Sequence, residues 1–317
     1  RRLSHRSFLN GKELASDHRR GYWTHGCCAV PAKQRGEGEK LVRRSKIAWA
    51  AGLLLAVAAT PSAAQPTGQV PLTVSATRAT TLVTWVPKQV KGVVLFSTGH
   101  GSWPERYDAV VSAWQKAGFA VIAPVHVDSM HYPDREKFSR EASFGERIAD
   151  LRAASAYAAK TWPGRPVVAA GHSFGTLTAL CLGGGLASLG NFRDPSVKAV
   201  LGFSSPGRIP GLIGPDAYAG DRVPMLLVTG DRDLVPGLVT DWHDHLLPVQ
   251  SAPAGDKFGV VYAGADHEFI GRPADANFIS AAAISTDFLR AYGLSDAKAR
   301  GRLMKISDTA TTTWTRR

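Results

Sequence analysis

Seven short, almost wholly apolar runs recur through the chain, at residues 81–86, 92–97, 120–123, 166–170, 199–203, 225–229 and 259–262. Helix-like stretches fall between them at 106–117, 145–160, 176–186, 238–246 and 275–292. A strand that is apolar at every position must be covered on both faces, and helical crossovers provide the cover. The expected fold is therefore α/β, a mostly parallel sheet with helices on both faces. Ligands of such sheets bind at the carboxyl ends of the strands, so the residues just past each apolar run are the ones to read for chemistry. The stretch from Ser204 to Val223 has room for a small cap at most. The polar segment after Gly293 is expected to be partly disordered.

Gly171-His172-Ser173-Phe174-Gly175 lies where the 166–170 strand gives way to the 176–186 helix. A serine on such a turn is held in a strained backbone conformation, and side chains on the flanking glycines would collide. Its hydroxyl becomes a nucleophile when a base, usually a histidine oriented by a carboxylate, takes its proton. On this type of turn the chain order is serine, acid, histidine. The strand 225–229 runs into Gly230-Asp231-Arg232-Asp233. Asp233 is the expected acid, because a Gly-x-x-Asp spacing lets the chain turn before the carboxylate points back. Asp231 is the alternative, with turn chemistry or helix capping as its other use. His267, in the loop after the last apolar strand and before the final helix, is the expected general base.

An oxyanion needs two fixed N–H donors. The N–H of Phe174, directly after the serine, is one candidate. The other is the N–H of His100, in the loop Thr98-Gly99-His100-Gly101-Ser102-Trp103, whose glycines permit close backbone approach. Trp103 and Phe174 are expected to wall the acyl pocket. His172 should point away from the hydroxyl and support the turn. Asp241, His243, Asp244 and His245 have the composition of a metal site, but their spacing splits them around a helix, so a solvated face is expected and no metal is assigned. His126, Asp128 and His131 follow a strand and read equally as pocket lining or as a structural loop.

The net charge of +12 is unevenly placed. Residues 1–64 carry twelve Lys and Arg against four Asp and Glu, whereas 65–317 carry twenty-six against twenty-two. No basic stripe interleaved with aromatics follows, which argues against nucleic-acid binding. Residues 42–64 have a basic start, a short apolar core and Pro61-Ser62-Ala63-Ala64, the pattern of a signal peptide cut after Ala64. The apolar core is shorter than a bilayer span, so no stable membrane anchor is expected, and the location is secreted or periplasmic. Residues 1–41 are polar and aperiodic and read as a non-native upstream extension, with translation expected to start near Val42. Residues 65–317 read as a single domain. Cys27 and Cys28 lie upstream, which leaves Cys181 alone in the mature part, a small buried side chain on the helix after the turn.

The segments Phe96-Ser-Thr-Gly-His-Gly101, Gly118 to Asp128 and Gly171–Gly175 together resemble the dienelactone-hydrolase-like serine esterases, a group that includes the plasma-type platelet-activating-factor acetylhydrolases. The resemblance runs from about Lys91 to Tyr292. It implies an α/β-hydrolase fold and hydrolysis of small-molecule or polymeric esters, without cofactor, by Ser173, Asp233 and His267, with His100 and Phe174 as oxyanion donors. The chain departs from the group's pattern in two places: Thr98-Gly99 replaces the usual His-Gly of the oxyanion loop, and true dienelactone hydrolases carry a cysteine where this chain has Ser173. Cutinase-like polyesterases are also similar, but they usually place methionine at the position of Phe174.

Overall fold

The computed structural model describes residues 65–317, so the expected extension at 1–41 and signal peptide at 42–64 lie outside the described residues. The seven apolar runs are all strands. They are β2 (Ala79–Trp85), β3 (Gly92–Ser97), β4 (Phe119–Pro124), β5 (Val167–His172), β6 (Val197–Phe203), β7 (Met225–Arg232) and β8 (Lys257–Asp266). With β1 (Gly68–Thr73) and β9 (Thr312–Arg316) they form a nine-stranded sheet in the order β1-β2-β4-β3-β5-β6-β7-β8-β9. The strands from β4 to β8 in that order pair in parallel, while β1, β2 and β9 add antiparallel edges.

Every residue of β3 is buried because alternate side chains enter two different cores. Val94 and Phe96 pack under α1 (Asp108–Lys116), α5 (Ala276–Phe288) and α6 (Ala297–Leu303). Val93 and Leu95 pack under α2 (Arg140–Thr161), α3 (Phe174–Gly183) and the short α4 (Leu247–Ser251). Each large apolar side chain so buried contributes about 1.5–3 kcal/mol. On the first face, Trp114 of α1 donates its indole N–H to Ser285 Oγ of α5 at 3.0 Å. The chain leaves β3 for β4 on one side and returns to place β5 on the other. That reversal opens a crevice at the carboxyl ends of β3 and β5.

Three expectations are corrected. Residues 238–246 do not form a helix: Val235 and Val239 pair in an isolated bridge, Trp242–Leu246 is a 3-10 turn started by Asp241, and Pro248 opens α4. The segment after Gly293 is ordered. Asp296 caps α6 by accepting from the N–H groups of Lys298 and Ala299, and Leu303 is buried. Beyond α6, β9 pairs with β8 and brings Trp314 over Phe258, ring centroids 5.4 Å apart. Finally, β1 lies ahead of the first expected strand, its Pro71 tolerated at an edge. Among the described residues no helix is long and apolar enough to cross a membrane.

Candidate active site

Ser173 is the single residue between β5 and α3, at φ 54°, ψ −121°. This left-handed conformation costs a non-glycine residue on the order of 1–3 kcal/mol, so its surroundings must impose it. A Cβ on Gly171 would lie 2.2 Å from Gly175 O, and one on Gly175 would lie 1.9 Å from Ser97 O. Helix α3 therefore rests directly on the backbone of β5 and β3. The Ser173 N–H donates to Phe203 O of β6 at 2.9 Å, which pins the turn from the other side. Phe174 is the first residue of α3, so its N–H has no acceptor within the helix and sits at the positive end of the helix dipole.

Asp233 follows β7 and His267 follows β8, and the two meet: His267 Nδ1 lies 2.7 Å from Asp233 Oδ1. Thr229 donates its hydroxyl to Asp233 Oδ2 at 2.7 Å. Burial alone would raise the Asp233 pKa, but hydrogen bonds from His245 and His267 overcome it and hold the carboxyl well below its ordinary value. Asp231 points elsewhere, accepting from the Gly264 N–H at 2.7 Å. Ser173, His267, His100 and Phe174 all line one cavity of about 730 Å³. Phe144, Ile209, Pro210, Leu212 and Leu238 give it an apolar side. The stretch between Ser204 and Val223 carries no helix and supplies three of those five side chains.

His172 points away from the serine and ties the site together. The Tyr107 hydroxyl accepts from the Gly99 N–H at 3.1 Å and donates to His172 Nδ1 at 2.9 Å. His172 Nε2–H in turn donates to His267 O at 3.0 Å. Burial pushes the His172 pKa down to about 3, which keeps the ring in the neutral tautomer this relay needs.

Below the loop 98–103, Arg147 of α2 is fully buried. Its guanidinium donates to both carboxylate oxygens of Asp128 at 2.8 Å. It also donates to Thr98 O at 2.7 Å and Gly99 O at 3.0 Å. Asp128 accepts as well from the Gly101 N–H at 3.1 Å and sits 2.9 Å from His100 Nδ1. Burial would raise the Asp128 pKa, yet the His100 and Arg147 hydrogen bonds hold it well below the carboxylate range. Phe174 lies against the other face of this group, with Arg147 Cζ 4.6 Å from its ring centroid. Trp103 is a correction: it is not a cavity wall but stacks on His131, centroids 5.0 Å apart. Sequence reasoning missed Arg147, although a signal exists. It falls on the buried stripe of α2 with Leu151 and Ala154, where a charge needs a partner.

His245 is a second correction. Of the four residues expected on a solvated face, His243 and Asp241 form an exposed pair and Asp244 pairs with Arg208 at the surface. His245 is buried, its Nε2 2.8 Å from Asp233 O and 3.0 Å from Asp233 Oδ1. Its Nδ1 hydrogen-bonds Ser205 O. One ligand atom each from Asp233, His245 and His267 lies within 4.8 Å of the others, the spacing of a metal centre. The separations of the two rings from Asp233 Oδ1, 2.7 and 3.0 Å, are also hydrogen-bond distances.

His126 belongs to a separate chain of contacts. Its Nδ1–H donates to Asp150 Oδ2 at 2.8 Å, and its Nε2 accepts from Ser97 Oγ at 2.9 Å. All three residues are buried, and none lines the cavity over Ser173. Cys181 is buried on α3 as a small core side chain.

A family model described as serine aminopeptidase, S33, matches residues 88–188, the part that carries Ser173 but neither Asp233 nor His267. No curated protein matches the sequence. The structure is similar to a dienelactone hydrolase from Anabaena variabilis ATCC 29413, with TM-score 0.54 and 22% identity over 72% of this chain and 99% of that one. It is similar to the esterase domain of a Rhodothermus marinus protein, with TM-score 0.51 and 17% identity over 71% and 98% of the two chains. A puromycin-hydrolyzing peptidase from Mycobacterium tuberculosis gives TM-score 0.54 and 14% identity over 71% and 39%. The chain has the α/β-hydrolase fold.

Proposed function

We propose that this protein is an exported serine hydrolase that cleaves carboxylic esters of short-to-medium acyl chains through an acyl-enzyme intermediate. The observation that carries the reading is the opening of the strained Ser173 turn and the Asp233-bound His267 onto the same cavity. In this reading Ser173 Oγ attacks the ester carbonyl while His267 Nε2 takes its proton, and Asp233 steadies the resulting imidazolium. The N–H groups of Phe174 and His100 receive the oxyanion. His267 then protonates the departing alkoxide, and water activated by the same histidine releases the acid. The apolar side between Phe144 and Leu238 suits an acyl chain, and the absence of a helix between Ser204 and Val223 leaves the mouth open to substrate. Export is part of the proposal on the strength of residues 42–64 alone.

Amide cleavage is the second reading, favoured by the description of the matching family model. Glu141 and Glu268 line the cavity, and Glu268 is paired with Arg106, so Glu141 is the carboxylate left to face a free substrate amine. A fluorophosphonate probe should label Ser173, and Ser173→Ala should lose label and at least about 10⁴-fold in kcat. Parallel series of p-nitrophenyl esters and aminoacyl p-nitroanilides then separate the readings. Faster turnover of anilides, or a preference for long acyl chains, would overturn the ester proposal.

A further inference from the structure

The Asp233 carboxylate serves two imidazoles. Its Oδ1 lies 2.7 Å from His267 Nδ1 and 3.0 Å from His245 Nε2, and its Oδ2 takes the Thr229 hydroxyl at 2.7 Å. The two rings lie nearly parallel, 28° apart, with centroids separated by 6.3 Å. His267 reaches the cavity, whereas His245 does not line it and is 1% exposed.

The protonation state of His245 follows from its partners. Nε2 faces Asp233 O and Asp233 Oδ1, and Nδ1 faces Ser205 O. All of these oxygens can only accept. A neutral imidazole has one ring nitrogen without a proton, and here that nitrogen would be pressed against a carbonyl lone pair. Only the doubly protonated ring satisfies both sides. A further bond fixes the ring's position: Ser205 donates its hydroxyl to His245 O at 2.8 Å, which locks the 3-10 turn onto the end of β6.

We propose that His245 is a buried, permanently protonated positioning residue that braces Asp233 from behind and withdraws part of its charge from His267. The inference rests on the reading of Asp233 and His267 as acid and base. Among the described residues, Asp233 is the only carboxylate hydrogen-bonded to either ring. With His245 already positive beside it, a second positive charge on His267 gains less from Asp233 and is repelled across the short gap between the rings. The other charged groups near His245 are outward-facing: on its own turn Asp244 is paired with Arg208, and Asp241 with His243. Burial would by itself discharge His245, but the Asp233 contact and the two carbonyls reverse that and raise its pKa. The consequence is that part of the Asp233 charge that would steady a protonated His267 is already taken up by His245.

His245→Gln tests this. The glutamine amide can still donate to Asp233 but carries no charge. In the variant the acid limb of kcat/KM should move up by about one pH unit, a roughly tenfold loss on the acid side with little change above pH 8. A uniform drop at every pH with an unmoved limb would mean that His245 is merely structural and would sink the inference. The wild-type protein offers a second measurement that needs no folded variant. In histidine-¹⁵N-labelled protein at pH 8, His245 should show both ring nitrogens protonated, and a neutral tautomer would overturn the proposal. Failure of Ser173 to take the fluorophosphonate would instead remove the functional reading, leaving the His245 protonation result standing by itself.

Discussion

A guanidinium with no access to water must find its acceptors in protein, and Arg147 finds them on one loop and the aspartate that supports it. The carbonyls of Thr98 and Gly99 point inward at Arg147, which leaves the N–H of His100 free to face the cavity. Lysine keeps the charge but cannot fork across Asp128 while reaching two carbonyls. Arg147→Lys should therefore cost about 10–100-fold in kcat with a smaller change in KM, because a loosened donor is felt most where charge develops. Arg147→Met removes the charge altogether, leaves Asp128 buried without a counter-ion, and should destabilise the fold by about 3–5 kcal/mol in thermal unfolding. At this scale the sequence reveals a residue when a local rule singles it out. Gly-x-x-Asp selects Asp233 over Asp231, and the structure sets Asp233 on His267 while Asp231 bonds a turn N–H. Arg147 and His245 answer to partners 19 to 50 and 12 to 40 positions away, and nothing beside them in the chain names those partners.

Among the elements, α3 and β3 are joined by backbone rather than by side chains. Gly175→Ala would place a methyl 1.9 Å from Ser97 O, and neither strand nor helix can retreat, since both faces of β3 are packed. Overpacking of this kind costs about 1–3 kcal/mol and often more. The variant should melt roughly 5–10 °C lower and lose fluorophosphonate labelling, because the serine turn moves with the helix. Strands buried on both faces were legible as unbroken apolar runs, and their ends located the site. The edges were not, because an edge strand is half solvated and lacks that pattern: Thr312–Arg316 is polar apart from Trp314 and becomes a strand only because β8 offers an unpaired side. Residues 238–246 failed for the opposite reason. Their apolar spacing is compatible with a helix, but a tertiary demand, bringing His245 under Asp233, bends them into a bridge and a tight turn.

For the molecule as a whole, pH dependence of stability is set by groups far from the cavity as well as near it. Asp221 is buried and, among the described residues, neither of its oxygens has a hydrogen-bond partner. Burial pushes its pKa up to about 7, against the pull of Lys257 and Arg193. A carboxyl that keeps its proton in the folded state longer than in the unfolded one stabilises most below its ordinary value near 3.8 and loses that contribution as pH rises through 7. Asp221→Asn should accordingly melt above wild type at pH 8, by up to about 1 kcal/mol for each pH unit of the window, with the gap closing towards pH 4. Differential scanning calorimetry across that range checks it, and parallel pH curves for the two proteins would refute the assignment. The molecule also repeats one pattern at two places. Ser97, His126 and Asp150 reproduce the oxygen–nitrogen–nitrogen–oxygen spacing expected of a hydrolytic centre, at 2.9 and 2.8 Å. Yet Ser97 Oγ already accepts from the Thr178 hydroxyl at 2.9 Å and from Arg147 at 3.4 Å. Ser97 is also fully buried and does not line the cavity over Ser173, so no substrate carbonyl reaches its oxygen. Spacing alone does not make a site: Ser97, His126 and Asp150 are sealed in the core, whereas Ser173 and His267 open onto a cavity.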